Sequence, residues 1–152
     1  MTAIPHSLKM EHHDLHEELV RATREPGAVG EAARGVAKVL HPHFVKEEEF
    51  AMPPLGALAA VARGEKVTDA ATVIAQAQRV ADELPQMLAE HRQVVLALER
   101  LQAAAIEAGQ PQHAQFAEKL KLHAQTEEEV LYPAAILVGR ALERLRVEGA
   151  FS

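Results

Sequence analysis

The sequence contains no cysteine, no tryptophan and a single tyrosine, and aromatic residues make up only 3% of it. Without cysteine the chain cannot form disulfides, thiolate nucleophiles, iron–sulfur clusters or cysteine-based zinc sites. Any chemistry must therefore come from histidine, carboxylates or a bound ion. Histidine is abundant by comparison, with 9 residues in a chain of 152.

Basic clusters and long apolar runs are also missing. The formal net charge is -6, and no lysine and arginine stripe offers the positive surface that a nucleic-acid backbone requires. No apolar stretch of about 18 residues could cross a bilayer, and the first residues lack the apolar segment of a secretory signal. We expect a cytoplasmic protein that binds neither nucleic acid nor membranes, as a monomer or a homodimer.

The composition is rich in helix-forming residues, and 48% of the chain is hydrophobic. These values predict one all-α domain over residues 1–152. Proline, glycine and polar segments divide it into two helical hairpins, at about 5–52 and 68–132, and a C-terminal helix at about 134–148. We expect an antiparallel four-helix up-and-down bundle with short extra helical segments.

Several residues are predicted to begin, bend or end these helices. Thr68 is a suitable N-cap for the third long helix. Pro42 and Pro85 lie inside predicted helices, where the missing N–H and the ring clash predict a kink or an interruption. Pro133 is expected to separate the fourth long helix from the C-terminal one.

One pattern occurs twice in the chain. "HFVKEEEFAMP" begins at His43 and "HAQTEEEVLYP" begins at His123, 80 residues later. In both, a glutamate follows the histidine by four residues, which places the two side chains on one helix face about 6 Å apart along the axis. Upstream, "EH" at residues 11–12 is matched by "EH" at residues 90–91. The chain is predicted to contain two copies of one helical hairpin.

The repeated residues are predicted to lie at one height. Residues on opposite arms of a hairpin are level when their sequence midpoint falls in the connecting turn. For the single histidine and the His–Glu pair of each hairpin, the midpoints fall near residue 28, within "EPGAVG", and at residue 108, within "AGQP". A bundle of two such hairpins can therefore collect six donors in one layer. These are His12, His43, Glu47, His91, His123 and Glu127.

A buried layer of this kind points to bound metal. Apolar residues surround the six positions at helical spacing, so the side chains should face the core. Burying imidazoles and carboxylates is costly unless the charge is compensated, and no lysine or arginine shares their stripe. Such donors suit iron, manganese or zinc, and six exceed the needs of one tetrahedral zinc, so two ions are indicated. The Glu-x-x-His spacing of ferritin-like proteins is absent.

The order "EHHDLH", "HFVKE", "EH" and "HAQTE" resembles the haemerythrin-like family, the HHE cation-binding domains, over essentially the whole chain. The resemblance implies a four-helix bundle with two non-haem iron ions, for which zinc or manganese could substitute. It also implies reversible handling of dioxygen or a related small ligand. By position, the four histidines would be terminal ligands, and Glu47 and Glu127 would bridge the ions.

The chain departs from the family pattern at one position. Oxygen carriers of the family place a second histidine four residues after the first on the third helix, whereas this chain has Val95 four residues after His91. His16, four residues after His12, forms such a pair on the first helix. We therefore include His16 as a metal ligand, and the departure puts oxygen-carrier behaviour in question.

Other polar residues near these motifs are given simpler roles. Glu48, Glu128 and, with less weight, Glu11 are interpreted as surface carboxylates, Glu11 being also a candidate partner for a ligand N–H. His113 is assigned to the surface or to a helix cap. Tyr132 is interpreted as a packing residue about 13 Å from the ions along the helix axis.

Three functions remain open at this stage. The first is a di-iron protein that binds or senses dioxygen, nitric oxide or peroxide. The second is an enzyme that uses the same ions for oxygen or peroxide chemistry, including catalase-like breakdown. The third is iron storage, or an interaction domain whose fold is stabilised by metal.

Overall fold

All regular structure is helical, and no strand occurs, in residues 3–148, the part that this computed structural model describes. The predicted all-α class is confirmed. The α-helices are α1 (His6–Thr23), α2 (Gly27–Lys46), α3 (Leu58–Ala62), α4 (Ala70–Glu107), α5 (Pro111–Thr126) and α6 (Tyr132–Val147).

Four of these helices form the bundle. α2 packs against α4, α4 packs against α5, and α1 contacts both α2 and α5. Each helix contributes an apolar stripe to one shared core. Leu15, Leu40, Leu98 and Leu120, one from each helix, are at most 3% exposed. The predicted four-helix bundle is therefore the observed architecture.

Two short π-helical segments follow the repeated histidines. α2 continues into Glu47–Ala51, and α5 continues into Glu127–Leu131. In such a wide turn the N–H bonds to a carbonyl five residues back, as the Met52 N–H does to the Glu47 oxygen at 2.8 Å. Each segment comes just before a proline, Pro53 or Pro133, whose ring lacks an N–H and clashes with a normal α-helical carbonyl. The π turns accommodate the prolines and begin at the repeated glutamates.

The two copies of the repeat diverge after these prolines. The first continues into a 3₁₀ helix, Pro53–Ala57, and α3. In the second, helical structure continues without a break from Pro111 to Val147, and α6 begins at Tyr132, one residue before the boundary predicted at Pro133. Proline is compatible with the first turn of a helix, and Pro133 is the second residue of α6.

α4 is more regular than predicted. It begins at Ala70 after Asp69, which has a φ of 59°, so Thr68 is not its N-cap. Pro85 lies inside α4 without interrupting it, and Pro42 lies likewise inside α2. Both prolines are exposed, so water can hydrate the carbonyl that each leaves without its helical partner.

The turn between α4 and α5 aligns the second hairpin. Gly109 adopts a φ of 70°, a left-handed conformation that glycine accepts without strain, and Pro111 then begins α5. The first turn lies at residues 24–26, slightly before the predicted segment. In the described part of the chain, no helix has the length and apolarity needed to cross a membrane.

Candidate metal centre

The six predicted donors meet in the centre of the bundle. Each of these six residues is at most 6% exposed. α1 and α4 each contribute one histidine, while α2 and α5 contribute one histidine each just before the π segment that supplies the glutamate. The residues are His12, His43, Glu47, His91, His123 and Glu127.

The donors form two groups that share one carboxylate. The first group contains His43, Glu47, His91 and Glu127, and the second contains His12, His123 and Glu127. Within each group the ligand atoms lie within 4.8 Å of one another. Both groups draw residues from both hairpins.

Each of the two glutamates directs one oxygen toward each group. Glu47 Oε2 lies 3.6 Å from His43 Nε2, and its Oε1 lies 3.7 Å from His12 Nε2. Glu127 Oε1 lies 3.2 Å from His91 Nε2, and its Oε2 lies 3.1 Å from His123 Nε2. Both carboxylates therefore lie between histidines of the two groups.

A second set of carboxylates lies behind the histidines of the first group. His43 Nδ1 is 2.9 Å from Glu90 Oε1, and His91 Nδ1 is 3.1 Å from Glu128 Oε1. Lys46 Nζ donates to the other oxygen of Glu90 at 2.7 Å, which holds that carboxylate in place.

In the second group, one of the two histidines has a carboxylate within hydrogen-bonding distance. His123 Nδ1 is 2.5 Å from Glu11 Oε1, and His12 Nδ1 is 4.0 Å from Glu48 Oε1. We call Glu11, Glu48, Glu90 and Glu128 the outer carboxylates. Interpreting three of these as surface residues was incomplete, because each lies beside a histidine of another helix.

The outer carboxylates also explain part of the repeat. Two of them are the glutamates of the "EH" pairs, and two follow directly after Glu47 and Glu127. A carboxylate accepts a hydrogen bond, so a neutral imidazole facing one carries its proton on Nδ1. Its Nε2 then presents a lone pair to the centre of the bundle, which is the form in which histidine binds metal.

The unpaired atoms at the centre fit a cation. His43 Nε2 and His91 Nε2 lie 2.8 Å apart, so two lone pairs would face each other if both rings were neutral. Both ring nitrogens of His12 and Oε1 of Glu47 are buried without a hydrogen-bond partner. Buried polar atoms of this kind are costly unless something compensates them. A divalent or trivalent ion in each group would do so.

Protons provide the other compensation, as the pKa values show. Burial lowers the pKa of His43, but hydrogen bonding and charge attraction from Glu47 outweigh it and raise the pKa to about 9. Burial likewise lowers the pKa of His123, and Glu127 raises it to about 9. Burial and the negative charge of Glu127 raise the pKa of Glu47 to about 8. Two carboxylates in one buried site do not both ionise readily.

Tyr132 belongs to the site, contrary to the prediction that it only packs at a distance. It is 2% exposed, and its hydroxyl donates to Glu47 Oε2 at 2.6 Å. The Tyr132 hydroxyl oxygen also lies 3.1 Å from His43 Nε2 and 3.1 Å from His91 Nε2. The predicted distance was measured from His123 along the axis, but Glu127 is nearer in sequence, and helical side chains point back toward the N-terminus.

His16 does not join the donor set, so its inclusion as a ligand is corrected. The side chain is exposed, and it lines a shallow depression with His41 and Phe44 rather than either donor group. Four residues along a helix correspond to a rise of about 6 Å and a rotation of about 40°. This displacement takes His16 out of the layer that contains His12.

His113 is buried, although a surface or capping role was predicted. Its Nε2 lies 3.5 Å from Glu25 Oε1 at the end of the bundle opposite α6. Gln110 donates to the same carboxylate at 3.0 Å, so these residues connect the two hairpin turns.

An open groove lies beside the first donor group. It has a volume of about 1040 Å³, and its lining residues on α4 and α5 and in the π segment that follows include His91 and Glu128. Val95, Leu96 and Leu122 give it an apolar wall.

A four-helix bundle with a buried layer of histidines and carboxylates is a cation-binding helical domain. The comparison with family models agrees: the model described as "Hemerythrin HHE cation binding domain" matches residues 3–135. The chain therefore belongs to this family. No curated protein and no solved structure matches the chain.

Proposed function

We propose that the chain binds two iron ions in the two donor groups and uses them to bind or sense a small ligand such as dioxygen, nitric oxide or peroxide. The observation that supports this most directly is the orientation of the Glu47 and Glu127 carboxylates. Each of them directs one oxygen toward each group. Two imidazoles and one oxygen of each carboxylate would hold each ion. Four imidazoles and two carboxylates suit iron, with zinc or manganese as substitutes.

The protein residues have distinct tasks in this proposal. Three of the outer carboxylates, Glu11, Glu90 and Glu128, keep the rings that they face in the binding tautomer. Phe44 stacks on the His12 ring with centroids 4.2 Å apart, which fixes that ring and excludes water from one side. Iron bound there would supply a redox-active centre with positions open to an exogenous ligand.

The apolar groove supports ligand exchange. Position 95 carries valine where oxygen carriers of the family have a histidine, and this valine lines the groove beside His91. The groove is wide and partly apolar, so uncharged molecules can occupy it as well as charged ones.

Metal analysis and optical spectroscopy test the proposal. Protein from iron-supplied cells should contain about two irons per chain. Its absorption spectrum should change when dioxygen, nitric oxide or peroxide is added, and return when the ligand is removed. One zinc and no iron would overturn the metal assignment, and an iron spectrum that ignores all three ligands would overturn ligand binding.

A matched pair of variants locates the site. His12→Ala should lower the iron content and abolish the spectral change, because the second group loses a donor. His13→Ala changes the next residue, whose side chain is exposed, and should leave both unchanged. Equal losses in the two variants would contradict the assignment of the donor groups.

A further inference from the structure

The single tyrosine of the chain has its hydroxyl among the donors of only the first group. The oxygen lies 2.6 Å from Glu47 Oε2 and 3.1 Å from the Nε2 atoms of both His43 and His91. Ligands of one ion, at about 2.0–2.2 Å from it, are themselves about 3 Å apart. The hydroxyl is thus spaced as a member of that ligand set.

When both rings are neutral, hydrogen bonding alone does not satisfy this oxygen and its neighbours. Nδ1 of His43 faces Glu90, and Nδ1 of His91 faces Glu128, so neutral rings offer lone pairs at both Nε2 atoms. The phenol has one proton, which is directed to Glu47. Three lone-pair-bearing atoms therefore converge on one point, and a cation is the partner that satisfies all of them.

The repeat shows that this arrangement is confined to one half of the site. The position 80 residues before Tyr132 is Met52, which is also 2% exposed. A thioether is a soft, weak donor, whereas a phenol oxygen is a hard donor suited to ferric iron. The two halves are alike in histidine and glutamate but differ at this pair.

From this geometry, and resting on the proposed function, we infer that the Tyr132 oxygen is a ligand to the ion held by His43 and His91. The phenolic proton leaves to solvent when the oxygen binds the ion, as ligand protons do when metal binds. The first ion then has three oxygen donors from the chain, and the second has two. The tyrosine compensates for the histidine that Val95 replaces.

The test uses the charge-transfer absorption and resonance Raman bands that a phenolate gives when bound to ferric iron. The intact chain, loaded with two ferric ions, should show both. Tyr132→Phe should retain its iron but lose the bands completely. Met52→Leu, at the equivalent position of the other copy, should keep them. Because the chain has one tyrosine, no other phenolate can contribute.

Two results would overturn the inference: no phenolate bands in the ferric intact chain, or bands that survive in Tyr132→Phe. If that variant does not fold, ring-deuterated tyrosine in the unmutated chain gives the same answer, since the Raman bands must shift if they arise from Tyr132. A chain that binds two irons and exchanges ligands without these bands refutes the inference alone. A chain that binds no iron refutes the proposed function.

Discussion

At the scale of single residues, Glu90 shows how a carboxylate without direct access to the centre can determine metal binding. It accepts from Lys46 on one oxygen and faces His43 on the other. Partial burial alone would raise the pKa of Glu90, but these hydrogen bonds lower it to about 2, so it stays ionised. A permanent acceptor behind the ring keeps Nε2 of His43 available.

Glu90→Gln should weaken metal binding by about 10-fold to 100-fold, the usual effect of removing a partner of a ligating histidine. Chelator competition on the intact chain measures this. Glu83→Gln is the matched control, because Glu83 also pairs with Lys46, at 3.7 Å, but does not contact His43. If both variants lose affinity equally, the effect comes from the lysine pair and not from the histidine.

The stability of the metal-stripped chain should fall as pH rises from 6.5 to 9. The pKa values of His43 and His123 are raised to about 9, so their contribution to stability is complete below 6.5 and is lost as pH passes through 9. The raised pKa of Glu47, about 8, acts in the same direction, with its contribution complete below 4.5.

Thermal unfolding of the stripped chain across this range should show Tm falling by about 5 °C or more, since 1 kcal/mol changes the Tm of such a domain by about 2–4 °C. Metal affinity should rise over the same range, because protons and metal compete for the same imidazoles. A Tm that is constant or rises with pH would contradict this account.

At the scale of helices, the close packing of α4 and α6 depends on small residues. A Cβ added at Gly139 would overlap the Cβ of Ala77, and neither atom belongs to a flexible side chain. Gly139 and Ala77 are both buried, so the two backbones can approach only because these residues are small.

Gly139→Ala should therefore destabilise the chain by about 1–3 kcal/mol, the usual cost of overpacking. Gly35→Ala is the control, since Gly35 lies within α2 with open space around its Cα and should gain about 0.5–1 kcal/mol from helix propensity. Chemical denaturation measures both. If the free energy of unfolding changed with the same sign in both variants, or rose in Gly139→Ala and fell in Gly35→Ala, then α4 and α6 would be able to separate at little cost.

Helical periodicity was sufficient to predict the six central donors, because residues four apart share a face and hairpin midpoints set their height. It could not predict Tyr132, whose position depends on the π segment before Pro133 and on the length of its side chain. The outer carboxylates pair across helices, as Glu11 does with His123, so their contacts depend on how the helices dock. His16 was misplaced because a 40° rotation is decisive only once the neighbouring helices are known.

At the scale of the whole molecule, each donor group connects the two hairpins. His43 lies with His91 in the first group, and His12 lies with His123 in the second. Neither hairpin alone supplies two histidines to one group. Metal binding and the docking of the hairpins are therefore linked.

Removing metal should lower the stability of the whole domain. A ligand at 100 times its Kd stabilises the folded state by about 2.7 kcal/mol, which corresponds to a fall in Tm of about 5–10 °C on removal. Calorimetry of the loaded and chelator-treated chain measures the difference in Tm. The control variant His13→Ala should show the same difference in Tm as the unmutated chain. No change in Tm would mean that the groups are not filled by metal under the conditions used.

The sharing of both groups between hairpins also sets an order of events during folding. Residues 12 and 123 must be adjacent before either can hold an ion in the second group, and they are 111 positions apart in the chain. Short-range helical contacts form before such distant ones. Metal binding in the second group is then expected to be a late step of folding, which follows the assembly of the bundle.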